Sequence, residues 1–371
     1  MGILATLRHF NRSKNRYLRR VKSKIKLLYF KAFFRKKSEL KPDEIKSVCL
    51  LMHKQAIGDS IVTSGFIKRL KDKGMQVYVI APERLEPIFK DIIEVDKFFS
   101  YHNKKNGAMH RELKKLKLDL VIDFFDIDTT SMHRLRTLFL IKPKHAIGFN
   151  QLEISNFDTN IIDTRDVHVT QRMIKVLDLL QIDSSHYTAN LNLDENQYPE
   201  PYKLAATLKQ KYTNIVIFNP FGSQKNRILS QQQINTVLEH LNSIPGFYTI
   251  VFNMGKKIDC QHLENVTLSP FKDAANSFAL VCSADIVITV DTAIVHLATL
   301  YNVRQYCIYN NRRHIKKYDN NIMWGPNSDK AVQLFTTEFL GTEGGDDMDK
   351  FDVSLLLDAI DNDIKAGIIT L

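Results

Sequence analysis

Three short stretches carry residues whose types and spacing could do chemistry. In "HKQAIGDSIVTSGFIKRL" (His53–Leu70) a single carboxylate, Asp59, follows Gly58 where an apolar run gives way to an amphipathic pattern. An Asp in a first helical turn can cap the helix, accepting free backbone N–H groups at the positive end of the dipole. It can also act as a general base, and the stretch alone leaves both roles open. "NPFGSQKNRILS" supplies Gly222 for close backbone approach, the Ser223 hydroxyl, and two cations, Lys225 and Arg227. That set suits a phosphate, and it equally suits a solvated turn ahead of a capped helix. In "ITVDTAIVHLA" Asp291 and Thr292 stand between a very apolar strand and a helix, whose free N–H groups could hold a pyrophosphate. His296, four residues past Thr292, lies one turn into that helix on the same face, as a ligand contact or as a satisfied structural histidine. The last two loops offer donors and cations for a diphosphate without the paired carboxylates that Mg²⁺ needs, so neither a metal nor a cofactor is expected.

The elements that must position these loops alternate short apolar runs with amphipathic stretches. "SVCLLM" precedes the Asp59 helix, Gly74 is its expected C-cap, and "QVYVIA", "DLVIDFF" and "HAIGF" follow as strands, with a helix over "HVTQRMIKVLDLL". The polar stretch "DSSHYTANLNLDENQYPEPYK", with Pro199 and Pro201, reads as an inter-domain connection. The pattern then restarts: "NIVIFNP", a helix opened by the Ser230/Gln233 capping box, "FYTIVFN", "DAANSFALVCSA", "DIVITV", "TAIVHLATLY" and "RQYCIY". A last amphipathic helix near Asp352–Ile364 is expected to pack back on the first domain. Strands alternating with helices imply parallel sheets covered on both faces, in two Rossmann-like units. Ligands of such sheets bind beyond the carboxyl ends of the strands, where all three loops fall. The first loop has no GxGxxG fingerprint and so makes no case for a dinucleotide.

Composition sets the outer bounds. A chain of 371 residues with 44% apolar and 25% charged content is long enough for two cores. Cys49, Cys260, Cys282 and Cys307 are far apart with no CxxC pair, which points to buried thiols in a reducing compartment. Residues 1–40 hold thirteen Lys or Arg and one acid, a charge of +12 against +11 for the whole chain. The basicity belongs to that tail, where aromatic and aliphatic residues interleave with the cations as in a helix lying on an anionic membrane surface. A partner-binding helix is the alternative. Nucleic acid is disfavoured because the rest of the chain adds no basic excess. No apolar h-region follows the charges, and no run approaches the ~18 residues of a membrane span.

Taken in order, "IGDSIVTSGFIKRL", "HVTQRMIKVLDLL", "NPFGSQKNRILS", "VDTAIVHLA" and "WGP" (Trp324–Pro326) resemble the ADP-heptose:lipopolysaccharide heptosyltransferases of glycosyltransferase family 9, over about 47–327. The resemblance implies the GT-B architecture, with an acceptor-binding Rossmann-like domain (46–195) and a nucleotide-sugar-binding one (205–345); a basic N-terminal extension (1–45) and a C-terminal helix (350–371) lie outside it. It also implies inverting transfer of heptose from ADP-heptose to a sugar of the lipopolysaccharide inner core, without a metal, at the cytoplasmic side of a Gram-negative inner membrane. Asp59 takes the position of the base, and Arg227, with Lys225 beside it, that of the donor phosphate contact. Gly222 and Ser223 belong to the same loop; Asp291, Thr292, Ala293 and His296 match the donor segment, and Phe271 falls where a wall of the nucleotide pocket is expected. There are two departures from the family: Ala293 replaces a glycine, and Leu229-Ser230 replace Trp-Pro. They bear on the donor more than on the reaction class. The alternatives are a transferase or epimerase of another nucleotide sugar, or a non-catalytic sugar-nucleotide-binding protein. A base at a helix N-terminus has one physical difficulty: the dipole lowers a carboxylate pKa, so desolvation has to offset it.

Overall fold

The computed structural model describes residues 38–371 except 54, 103–105, 125–132, 151–156, 163, 165, 314–319, 338–341 and 344, together with 18, 21, 22, 25, 28 and 29. Six strands form the first sheet: β1 (Ser47–Leu51), β2 (Gln76–Pro82), β3 (Lys97–Tyr101), β4 (Leu120–Asp123), β5 (His145–Phe149) and β6 (Thr159–Ile161). Their order is β3-β2-β1-β4-β5-β6, and every pairing is parallel. The second sheet contains β7 (Asn214–Asn219), β8 (Phe247–Val251), β9 (Val266–Leu268), β10 (Ile286–Val290), β11 (Arg304–Tyr309) and β13 (Ala331–Phe335). It runs β13-β11-β10-β7-β8-β9, also parallel throughout. A two-stranded ribbon of β12 (Arg312–Arg313) and β14 (Thr342–Glu343) lies apart.

Alternation within strands explains why their sequences are apolar throughout. In β1, Val48 and Leu50 join an inner cluster, and Cys49 and Leu51 an outer one. In β7, Ile215 and Ile217 face inward, and Val216 and Phe218 outward. With both sheet faces covered, every strand position in β1 after Ser47 is buried. The inner cluster is continuous between the halves. It takes in α1 (Ile57–Asp72) and α4 (Thr170–Leu179) from the first, and α7 (Ala274–Cys282) and α8 (Ala293–Leu300) from the second. These helices are therefore the layer where the two halves meet. The outer faces are covered by α2 (Gly107–Lys115) and α3 (His133–Ile141) on the first sheet, and by α6 (Gln231–Ser243) on the second.

Two expectations are corrected. Pro199 and Pro201 do not sit in a connection: they open α5 (Pro199–Lys209), because a proline in a first helical turn has no N–H to lose. The last helix, α10 (Ser354–Lys365), packs on the second half, not the first: Leu356 and Ile360 enter its outer cluster, and Asp363 pairs with Arg304 of β11 at 2.5 Å. α9 (Asn320–Met323) is a single turn near the site. The four cysteines are free, three of them buried.

Candidate active site

The N-termini of α1 and α8, each just beyond a central strand, face one another. Gly58, in the first turn of α1, lies so close to α8 that a Cβ on it would stand 3.0 Å from Cδ2 of His296 and 3.6 Å from the Ala293 Cα. Asp59 is the next residue. Its Oδ2 accepts the Ala56 N–H at 2.7 Å, so the carboxylate does cap the helix, reaching back to the residue before it. It is also half-buried, and burial pushes its pKa up to about 6. The Ala56 N–H, its own N–H and the Arg84 charge oppose that rise without cancelling it. Desolvation therefore outweighs the dipole, and the side chain is poised near neutrality.

Across the junction, Thr292 is the N-cap of α8; its Oγ1 accepts the Ile294 N–H at 3.3 Å and is bonded by Asn219 Nδ2 at 3.0 Å. Asp291 is buried and already engaged. Its Oδ2 accepts from Asn320 Nδ2 at 2.7 Å and pairs with Arg227 Nη1 at 3.1 Å. Burial raises its pKa, against Arg227 and Arg312. Asp291 thus holds Arg227 through Nη1. The buried Arg227 Nε and the Tyr309 hydroxyl have no hydrogen-bond partner among the described residues.

The remaining predicted residues are placed as follows. At Gly222 the Cβ direction is filled by Arg227: a Cβ there would stand 2.6 Å from Arg227 Cβ and 2.8 Å from the Arg227 carbonyl oxygen, which accepts the Gly222 N–H. The glycine lets the loop fold onto itself and so fixes where Arg227 starts. Ser223 and Lys225 are exposed on that loop. Leu229 is buried and Ser230 caps α6 with Gln233, which explains how the loop closes without Trp-Pro. Phe271 packs partly buried against the inner cluster, its N–H donating to Ser269 Oγ at 3.3 Å. His296 is buried edge-on to Trp324, and burial, with His168 nearby, lowers its pKa to about 3. His168 Nε2 lies 3.2 Å from the Gly325 carbonyl oxygen, and the Val169 N–H donates to Met323 O at 3.0 Å. The "HVTQ" and "WGP" segments, one from each half, are therefore bonded to each other. Asn219, Asn320 and Tyr309 escaped the sequence reading; only the strand-end positions of Asn219 and Tyr309 could have signalled them.

Two Rossmann-like sheets meeting through helices whose N-termini face each other make up the GT-B architecture, and that is the fold class of this chain. No family model matches it. It is similar to "Putative lipopolysaccharide heptosyltransferase 4" of Escherichia coli (strain K12), 26% identical over 351 residues, 90% of this chain and 94% of that one. A glycosyl transferase family 9 structure from Veillonella parvula superimposes with a TM-score of 0.66 at 16% identity, covering 88% of this chain and 98% of that one. Escherichia coli heptosyltransferase WaaC with ADP gives 0.62 at 12% identity, covering 87% and 100%. The resemblance drawn from the motifs is borne out: the curated relative is named a putative heptosyltransferase, and heptosyltransferases stand among the solved neighbours.

Proposed function

We propose that the chain moves a heptose from ADP-heptose to a sugar of the lipopolysaccharide inner core by single displacement with inversion. The observation that carries this reading is Asp59: a half-buried carboxylate of pKa about 6, one residue from the contact between α1 and α8. Asp59 takes the proton of the acceptor hydroxyl as its oxygen attacks the anomeric carbon. The bond from that carbon to the diphosphate breaks, and ADP leaves with the electron pair. Arg227 and the free N–H groups at the start of α8 offset the charge that develops on the leaving group. Among the described residues, no three His, Cys, Asp or Glu side chains come together as a metal site would require. Similarity to a putative lipopolysaccharide heptosyltransferase and to solved heptosyltransferases, one of them with ADP, supports this donor and acceptor class.

The N-terminal segment suits a peripheral position at the anionic inner-membrane surface of a Gram-negative cell. Most of it lies outside the described residues. Leu18, Ile25, Leu28 and Tyr29, spaced along one helical face, are exposed, and residues 1–40 carry +12. Among the described residues no helix is long and apolar enough to cross a membrane. The deciding assay is transfer from a panel of nucleotide sugars, ADP-heptose first, to lipopolysaccharide cores truncated at successive sugars. ADP-heptose is expected to be the best donor. Equal rates from a hexose nucleotide would reassign the donor, and no turnover with any of them would favour a binding protein.

A further inference from the structure

The segment that leaves α4 for α5 does not hang free: it is bonded along the outer side of α1. The Arg69 guanidinium donates to the carbonyl oxygens of Asp183, Ser185 (2.7 Å) and His186 (3.3 Å). The Asn190 N–H donates to Ser64 Oγ at 2.8 Å. At Gly65 the approach is closest, for a Cβ there would fall 1.8 Å from the Thr188 carbonyl oxygen. Between these contacts the Tyr187 ring reaches into the helix. Its hydroxyl donates to the Val62 carbonyl oxygen at 2.6 Å and accepts the Phe66 N–H at 3.1 Å. Val62 and Phe66 are four residues apart, the two groups that an α-helix joins to each other. A side-chain oxygen between such a pair is one of the few recognised causes of a bend in a helix.

We propose that Tyr187 is a positioning residue for the reaction: its hydroxyl, seated at Val62 and Phe66, sets the direction of the first turns of α1 and thereby where the Asp59 carboxylate meets the acceptor. The proposal rests on Asp59 being the base. Asp59 lies seven residues ahead of Phe66, roughly 10 Å along the axis at the α-helical rise. A change of direction of about 6° at Phe66 moves Asp59 by ~1 Å, and misplacement on that scale costs about 10²-fold in rate. The segment that carries Tyr187 runs on into α5 of the second half. The direction of the base helix is therefore tied to the chain that leads into the donor half, not to the first half alone.

Tyr187→Phe keeps the ring in its contacts and lets Val62 and Phe66 bond directly, so the variant folds. With the full-length chain, ADP-heptose and truncated lipopolysaccharide core, we expect kcat to fall about 10- to 100-fold while the donor KM stays within about twofold. The test is completed by Asp59→Asn and the double variant. If Tyr187 acts through Asp59, the double variant is no slower than Asp59→Asn alone, because positioning a base that is absent contributes nothing. Wild-type kcat in Tyr187→Phe, or a double variant slowed by the product of the two single effects, overturns the proposal while the base assignment stands. Wild-type turnover in Asp59→Asn removes the base assignment itself.

Discussion

Arg227 and Asp291 form a largely buried ion pair that joins two loops 64 residues apart in sequence: Nη1 lies 3.1 Å from Oδ2 and 3.3 Å from the Asp291 main-chain oxygen. From sequence, both residues read as independent donor contacts. In the structure Asp291 is the partner that holds the cation, and its own Oδ2 is held by Asn320. The guanidinium is thus fixed in place before a diphosphate arrives, which lowers the ordering cost of binding.

Removing either partner has different consequences. Arg227→Ala leaves a buried carboxylate with the Asn320 amide and the Arg312 charge against it. Stability should fall by about 2–3 kcal/mol, less than the ~3–5 of a fully buried pair because 14% of the arginine side chain is exposed. ADP affinity should fall by a further 1.5–3 kcal/mol or about that range, the value of hydrogen bonds to a charged group. Asp291→Asn keeps an acceptor for Asn320, so thermal unfolding should show a smaller loss and calorimetry an ADP affinity equal to or above wild type. Loss of ADP binding in Asp291→Asn with retention in Arg227→Ala would reverse the assignment.

The two glycines of α1 should respond unequally to alanine. At Gly65 the added methyl meets a backbone oxygen at 1.8 Å, which cannot rotate away, so Gly65→Ala should cost about 3 kcal/mol or more. At Gly58 it meets the edge of the His296 ring at 3.0 Å, and a ring can tilt, so stability should fall by less than about 1.5 kcal/mol. Activity should rank differently, with Gly58→Ala strongly impaired because tilting His296 disturbs the junction between Asp59 and the start of α8, where the donor is proposed to bind. Denaturant unfolding and transfer rates on the two variants check both rankings.

What was legible in the sequence follows from range of interaction. Strands buried on both faces, such as "DIVITV" and "NIVIFNP", announce themselves as apolar runs, and the Ser230/Gln233 capping box is local chemistry. β3 and β6 carry no such signal, because "KFFSY" is short and begins on a lysine and "TNI" has only three residues. The strand-end loops exposed Asp59, Arg227, Thr292 and His296. Their relations did not show: Asp291 with Arg227, His296 with Gly58, and Tyr187 with Val62 and Phe66 all join residues at least 64 positions apart. The desolvation of Asp59 is likewise a property of the packed halves, which no local pattern encodes.

The N-terminal segment gives a prediction independent of the site. Deleting residues 1–40 removes +12 of charge and leaves −1 on the remainder, so the shortened chain should remain folded and cease to bind anionic vesicles. Binding of the intact chain should weaken as salt rises. Co-sedimentation with phosphatidylglycerol-containing vesicles at low and high salt measures this, and an intact chain that stays in the supernatant at low salt refutes the membrane assignment.

Capping and catalysis by Asp59 make separable demands. Asn offers the Ala56 N–H an acceptor of nearly the same shape, but takes no proton at neutral pH. Asp59→Asn should therefore shift the melting temperature little and leave ADP affinity unchanged while kcat falls by about 10²–10⁴-fold. In the wild type, a base of pKa about 6 must be unprotonated to work, so kcat/KM, which reports the free enzyme, should rise with pH through a midpoint near 6 and level off above 7 or thereabouts. The stability contribution has the opposite slope. Because the folded-state pKa lies above the ordinary 3.8, the folded chain holds this proton more tightly, and that part of its stability declines as pH rises from about 4 through 6. The Asp59→Asn variant should lose both dependences together. If its unfolding free energy kept the same decline between pH 4 and 6 as the wild type, the group titrating there would not be Asp59, and the midpoint in kcat/KM would have to be assigned to another side chain.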